Sequence, residues 1–141
     1  MKRRSYDGVQ DERTLAYLFL PKNSKPPFQI INYIPGTSAF NSATIPQSVD
    51  FLVKPHIKAG RAVLAVVLRG YVERKDPLYA PVRDGTSVRF REQMVHWATE
   101  IRRGLDYLET RPDIDVQKIA FWNVSRVQFS KLRQTVCSPN P

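Results

Sequence analysis

Residues 62–68 read Ala-Val-Leu-Ala-Val-Val-Leu, seven apolar side chains without a break. A strand with one wet face would alternate apolar and polar residues, so an unbroken run this short predicts a strand buried on both faces. Gly60 precedes the run and Gly70 follows it, which bounds it at both ends. A strand hidden on both sides needs a helix over each face of its sheet. The run therefore calls for a layered α/β architecture with crossover connections.

The neighbouring segments fit that architecture. Residues 14–20 (Thr-Leu-Ala-Tyr-Leu-Phe-Leu) form a short apolar run ended by Pro21, and residues 28–34 (Phe-Gln-Ile-Ile-Asn-Tyr-Ile) form another ended by Pro35-Gly36. Both are predicted strands, with the Pro26-Pro27 segment turning between them. Residues 37–44 read as a Ser/Thr/Asn-rich loop. Residues 47–59 carry Val49, Leu52, Val53 and Ile57 at partial helical spacing, with Gly60 at the C-cap position. The clearest helix covers residues 88–110, where Met94, Ala98, Ile101, Leu105 and Leu108 form one stripe. On its other faces, Glu100/Arg103 and Arg102/Asp106 are spaced as solvated surface pairs. Arg111-Pro112-Asp113 ends it, and residues 118–124 (Lys-Ile-Ala-Phe-Trp-Asn-Val) make a fourth predicted strand. Residues 1–13 are polar and expected as a flexible lead-in; residues 69–87 are expected to be irregular.

Composition narrows the function classes. A chain of 141 residues with 42% hydrophobic and 25% charged side chains has the balance of one globular domain. No apolar run approaches membrane-spanning length, and no apolar stretch follows the charged N-terminus, so neither a membrane segment nor a secretory signal is expected. The single cysteine, Cys137, excludes an internal disulfide and a thiolate-rich metal site, and a cytoplasmic setting is expected. The net charge of +9 raises the question of nucleic acid. Apart from Lys2-Arg3-Arg4 the basic residues are spread along the chain with no aromatic-basic stripe, which argues for a solvated basic surface instead. No phosphate-binding glycine loop or dinucleotide fingerprint occurs. Asp113 and Asp115 lack further convergent ligands, so no metal or cofactor is expected.

The segment from Asp113 to Ser125 carries a resemblance. A helix ending in Arg-Pro-Asp, then Ile-Asp, a basic residue and an apolar strand running into Ser125, is similar to the approach to an α/β-hydrolase nucleophile elbow. Upstream, Ile31-Asn32-Tyr33-Ile34-Pro35-Gly36 resembles the strand and loop that supply that family's oxyanion hole. Residues 12–125 together resemble the N-terminal half of an esterase or prolyl-oligopeptidase-like serine hydrolase domain, a type also found joined to bacterial serine/threonine protein kinases. The resemblance implies an incomplete α/β-hydrolase sheet of about four strands flanked by helices. It also implies hydrolysis of a small acyl ester or peptide through an acyl-serine. Ser125 would take the nucleophile position on a strained strand-to-helix turn. The backbone N–H of Arg126 and that of Thr37 would face the oxyanion.

Two departures from the pattern matter. The elbow reads Asn123-Val124-Ser125-Arg126-Val127, without either expected glycine, and Val127 is bulky where close approach is needed. No Asp, Glu or His follows Ser125, so the general base and its orienting acid are missing downstream. His56 and His96, the only imidazoles, would have to invert the family's chain order, and read as a surface residue and a helix-face residue. The expected organisation is a partial hydrolase domain over residues 14–125 and a divergent, disordered tail over residues 126–141, as a truncation would leave. Such a chain is expected to be inactive alone. The alternative is a non-catalytic module that self-associates through an exposed sheet edge at residues 118–124, with polyanion binding third.

Overall fold

The computed structural model describes residues 1–8, 12–36, 43–76 and 86–123, with the side chains of residues 46–50 left aside. Five strands, β1 (Lys2–Asp7), β2 (Arg13–Phe19), β3 (Phe28–Ile34), β4 (Ala62–Val67) and β5 (Ile114–Asn123), two α-helices, α1 (Ile45–Lys58) and α2 (Val88–Glu109), and a single 3-10 turn at Val72–Arg74 make up the described fold. The strands lie in one sheet in the order β1-β2-β4-β3-β5. β4 is parallel to β3 and β3 to β5, whereas β1–β2 and β2–β4 are antiparallel, so the sheet is mixed rather than wholly parallel.

β4 sits at the centre, between β2 and β3, and all six of its residues are buried. Its two faces are covered by different helices. Gly104 of α2 approaches Leu64 and Val66 on one face. On the other face, His56 of α1 packs edge-on against Trp122, and Trp122 pairs through Tyr33 with Ala65. Helices on opposite faces explain why residues 62–68 carry no polar alternation.

α1 ends as its glycine requires. Gly60 adopts φ +80, the Gly60 N–H donates to the Ile57 carbonyl (3.1 Å) and the Arg61 N–H to the His56 carbonyl (3.0 Å). That paired arrangement is a Schellman stop, and it turns the chain directly into β4. α2 begins on Ser87, whose hydroxyl accepts from the Phe90 N–H at 3.2 Å.

Three expectations need correction. In place of the flexible lead-in that the polar residues 1–13 predict, Lys2–Asp7 pairs with β2 along its whole length and brings the strand count among the described residues to five. Only Tyr6 of β1 is markedly apolar; it stacks on Tyr107 of α2 with ring centroids 5.7 Å apart, and cross-strand hydrogen bonding does the rest. The second correction is on α2. Glu100, expected on a wet face, is fully buried, and Arg103 pairs with Asp106 instead. The buried stripe runs through Gln93, Trp97, Ile101, Gly104 and Leu108, with Met94 and Leu105 only at its margin. Third, β5 starts at Ile114, four residues before the predicted strand.

Candidate active site

The polypeptide leaves the sheet at two neighbouring points of interest. β3 and β5 are parallel neighbours, and Ile34 pairs in register with Asn123 at their C-terminal ends. Pro35 and Gly36, both buried, follow on one strand. Val124 and Ser125 follow on the other. The chain passes from β3 through α1 to β4 on one side of β3, then through α2 to β5 on the other side. The crevice between β3 and β5 is thus the point where strand order reverses, and open α/β sheets bind ligands outside the carboxyl ends of their strands at such points.

Thr37, Ser125 and Arg126 lie outside the described residues. The ends of β3 and β5, from which these residues follow in the sequence, lie side by side.

The walls of the crevice are well defined on one face. Tyr33 of β3 and Trp122 of β5 are in contact with ring centroids 5.3 Å apart, and His56 of α1 meets Trp122 edge-on at 4.6 Å. Burial pushes the Tyr33 hydroxyl up to about 12, so it stays a neutral hydroxyl at physiological pH. His56 is half-buried against this cluster, not simply a surface residue. His96 is elsewhere: it is buried on α2, with its Nε2 3.7 Å from Glu100 Oε1. The two imidazoles are therefore on opposite faces of the sheet.

On the far side of β3, the loop after β4 is held by an ionic cluster that sequence reading did not anticipate. Glu100 pairs with Arg74, and its Oε2 accepts from the Arg69 backbone N–H at 3.0 Å. Arg74 also donates to the Val67 carbonyl at 2.8 Å and pairs with Glu12 at 3.1 Å. Arg69 pairs with Asp76 at 3.0 Å, and the Trp97 indole N–H donates to the Arg69 carbonyl at 2.9 Å. Inside this clamp Val72 adopts φ 39, a left-handed conformation that a β-branched residue resists. The available signal was the spacing of Trp97, Ile101, Gly104 and Leu108, which places Glu100 on the buried arc.

A second clamp aims β5. Arg111 donates to both oxygens of Asp113, at 2.8 and 2.6 Å, and to the Tyr107 hydroxyl at 3.1 Å. The Asp113 carbonyl accepts the Phe28 N–H at 2.9 Å, tying the start of β5 to the start of β3. Hydrogen bonding from Arg111 holds the Asp113 carboxyl below its ordinary range. Asp115 is occupied too, by Lys118 at 3.0 Å and by the Gln117 N–H at 3.1 Å. Both aspartates serve the turn into β5.

Comparison with known proteins adds one result. No protein-family model and no curated protein matches the sequence. Solved structures do match. An acetyl xylan esterase from Paenibacillus sp. R4 superposes with a TM-score of 0.63 at 18% identity, over 95% of this chain and 43% of its own. A cold-adapted esterase from an Arctic intertidal metagenomic library gives 0.65 at 13% identity, over 95% and 53%. A prolyl endopeptidase gives 0.62 at 20% identity, over 85% of this chain and 16% of its own. At such identities the likeness establishes the fold. The chain has an α/β-hydrolase fold in partial form and spans about half, or less, of the chains it matches.

Proposed function

We propose that this chain is the front portion of a serine hydrolase that cleaves carboxylic esters or peptide bonds, with Ser125 at the nucleophile position. The observation that carries the reading is the register pairing of Ile34 with Asn123, which sets the ends of β3 and β5 side by side at the reversal of strand order. A backbone N–H from Arg126, after the nucleophile, and one from Thr37, after β3, would converge on a developing oxyanion. The mechanism is attack by the Ser125 hydroxyl on a carbonyl carbon, with its proton passing to a base, an acyl-serine forming and water then releasing the acid. No Asp, Glu or His follows Ser125 in the sequence. The base and its orienting acid would come from a segment equivalent to the half of the esterases that this chain does not span. On its own the chain is inactive.

A fluorophosphonate probe tests the inactivity, because it labels only an activated serine. Ser125 is expected to remain unlabelled; stoichiometric labelling overturns the claim. The hydrolase reading itself is tested on the coding DNA downstream of codon 141, read in all frames. A continuation with a late Asp followed by a His is expected, and no such continuation in any frame counts against it.

One observation favours a second reading, a module that associates through its sheet. Among the described residues no strand pairs with the outer edge of β5, and Ile119, Phe121 and Trp122 along it are only partly buried. An unpaired edge of that length is a template for strand addition. Light scattering over a concentration series distinguishes the two: a clean monomer at all concentrations removes the second reading.

A further inference from the structure

The outer face of α1 carries a surface that the proposed chemistry does not use. At about 100° per residue, Phe51, Lys54, Pro55 and Lys58 fall within one arc of the helix, and all four are exposed. The opposite arc faces the sheet, with Val53 buried and Leu52, His56 and Ile57 half-buried. Phe51 is 83% exposed, the most of any large apolar side chain among the described residues.

Further positive charge is fixed at the end of this helix. The loop between β2 and β3 is pinned there: the Asn23 side-chain amide donates to the Lys58 carbonyl at 2.9 Å, and the Ser24 hydroxyl to the Gly60 carbonyl at 3.2 Å. Lys22 and Lys25 flank those two anchors and Arg61 follows Gly60, all three exposed. Lys22, Lys25, Lys58 and Arg61 have no ion pair among the described residues. Asp113, which the end of the loop reaches through the Phe28 N–H, is already held by Arg111. In the sequence Asp50 is the only acidic residue between Glu12 and Glu73. α2, on the other face of the sheet, differs. Its exposed Arg91 stands beside Glu92, and Arg103 pairs with Asp106, the mixed charge of a solvated helix.

We infer that this surface docks on an anionic lipid membrane, lying on it and not crossing it. No helix among the described residues is long and apolar enough to span one. A helix that sets an exposed aromatic among lysines suits the headgroup layer instead. The ammonium groups and Arg61 meet lipid phosphates and carboxylates, and the Phe51 ring enters between the headgroups. A nucleic-acid duplex would take the charges but leave Phe51 in water, and the described part of the exposed arc offers no Arg, Asn or Gln to read base edges. Being convex, the same arc gives a single strand no groove to follow.

Sedimentation of the full chain with vesicles tests this. With about 30% phosphatidylserine in phosphatidylcholine the chain is expected to pellet at low salt and to be released by about 0.5 M NaCl. Pure phosphatidylcholine is expected to retain it at least about tenfold less. Phe51→Ser and the double variant Lys22→Glu/Lys25→Glu are each expected to weaken the partition at least about fivefold. Arg91→Glu/Arg103→Glu on α2 makes the same change in net charge and is expected to alter it less than about twofold. Circular dichroism checks each fold, and K22E/K25E, in an exposed loop, keeps the test decisive if F51S misfolds. No pelleting with phosphatidylserine, a folded F51S that binds like wild type, or equal losses in the two charge variants overturns the inference. Retention by a DNA oligonucleotide in place of vesicles overturns it too and gives the surface to nucleic acid.

Discussion

Single residues show how closely the described fold is packed. Gly104 lies on α2 where the helix meets the sheet, and a Cβ there would sit 3.0 Å from the Tyr6 hydroxyl, 3.1 Å from Val66 Cγ2 and 3.3 Å from Leu64 Cδ2. Ala is the better helix former by about 1 kcal/mol, whereas overpacking costs about 1–3 kcal/mol. Gly104→Ala is therefore expected to destabilise by about 1 kcal/mol in urea unfolding. The Tyr6 hydroxyl is itself buried without a hydrogen-bond partner. Tyr6→Phe removes an unsatisfied polar atom while keeping the stack on Tyr107, so a gain of about 1 kcal/mol is expected. The two substitutions share a contact. In the double variant, Gly104→Ala should cost less than it does alone, and a strictly additive double-mutant cycle would show that the hydroxyl is not what crowds the glycine. None of this was legible in the sequence. A lone tyrosine in a run of charges gives no sign that it packs on a helix a hundred residues away.

At the scale of elements, the sequence was legible where one physical signal dominated. The β3 bounds and the buried β4 follow from apolar runs cut by Pro and Gly, and both helices follow from their periodicity. It failed where long-range pairing supplied the energy. β1 has almost no apolar content and exists because β2 offers it a ladder. For Glu100 the helical spacing marks the buried arc, but its partners Arg74 and Arg69, which make burial of a carboxylate tolerable, stand at least 26 positions away in the chain. The buried carboxylate leads to a clear expectation. Glu100→Ala strips Arg74 of its main partner and leaves the Arg69 N–H without an acceptor. Breaking a buried pair costs about 3–5 kcal/mol, a large share of the ~5–15 kcal/mol that holds a domain together. E100A should shift the urea midpoint strongly downward, and E100Q, which keeps an acceptor for the Arg69 N–H, should shift it less. Equal stability of wild type and E100A would mean that the loop after β4 is held by something else. As for the candidate site, the strands leading to it were readable from Pro35-Gly36 and from the Arg-Pro-Asp to Ser125 segment. Thr37, Ser125 and Arg126 themselves fall outside the described residues.

The whole molecule has a pH window that follows from how its titratable groups are buried. Burial raises Tyr6, Tyr33 and Tyr71 above the ordinary phenol value, and burial together with the Glu73 hydrogen bond raises Tyr17 to about 12. A group whose pKa is higher in the folded state binds more protons there than in the unfolded chain once pH passes the unfolded value near 10. Stability is therefore full below pH ~10 and falls above it, by about 1 kcal/mol per pH unit for each fully buried tyrosine. Several tyrosines act in the same direction, so the alkaline limb should be steep and should become shallower in Tyr33→Phe. Asp113 has the opposite sign: Arg111 lowers its pKa in the folded state, so its contribution is present above the unfolded value near 4 and is lost as pH falls below it. Asp113→Asn should flatten the acid limb and lower the plateau by about 1–2 kcal/mol, because it weakens a partly buried, charge-assisted clamp. Urea midpoints from pH 3 to pH 11 measure both limbs on one protein. An acid limb unchanged in D113N would separate the Arg111 clamp from the stability of the sheet. β5 would then be aimed by its pairing with β3 alone.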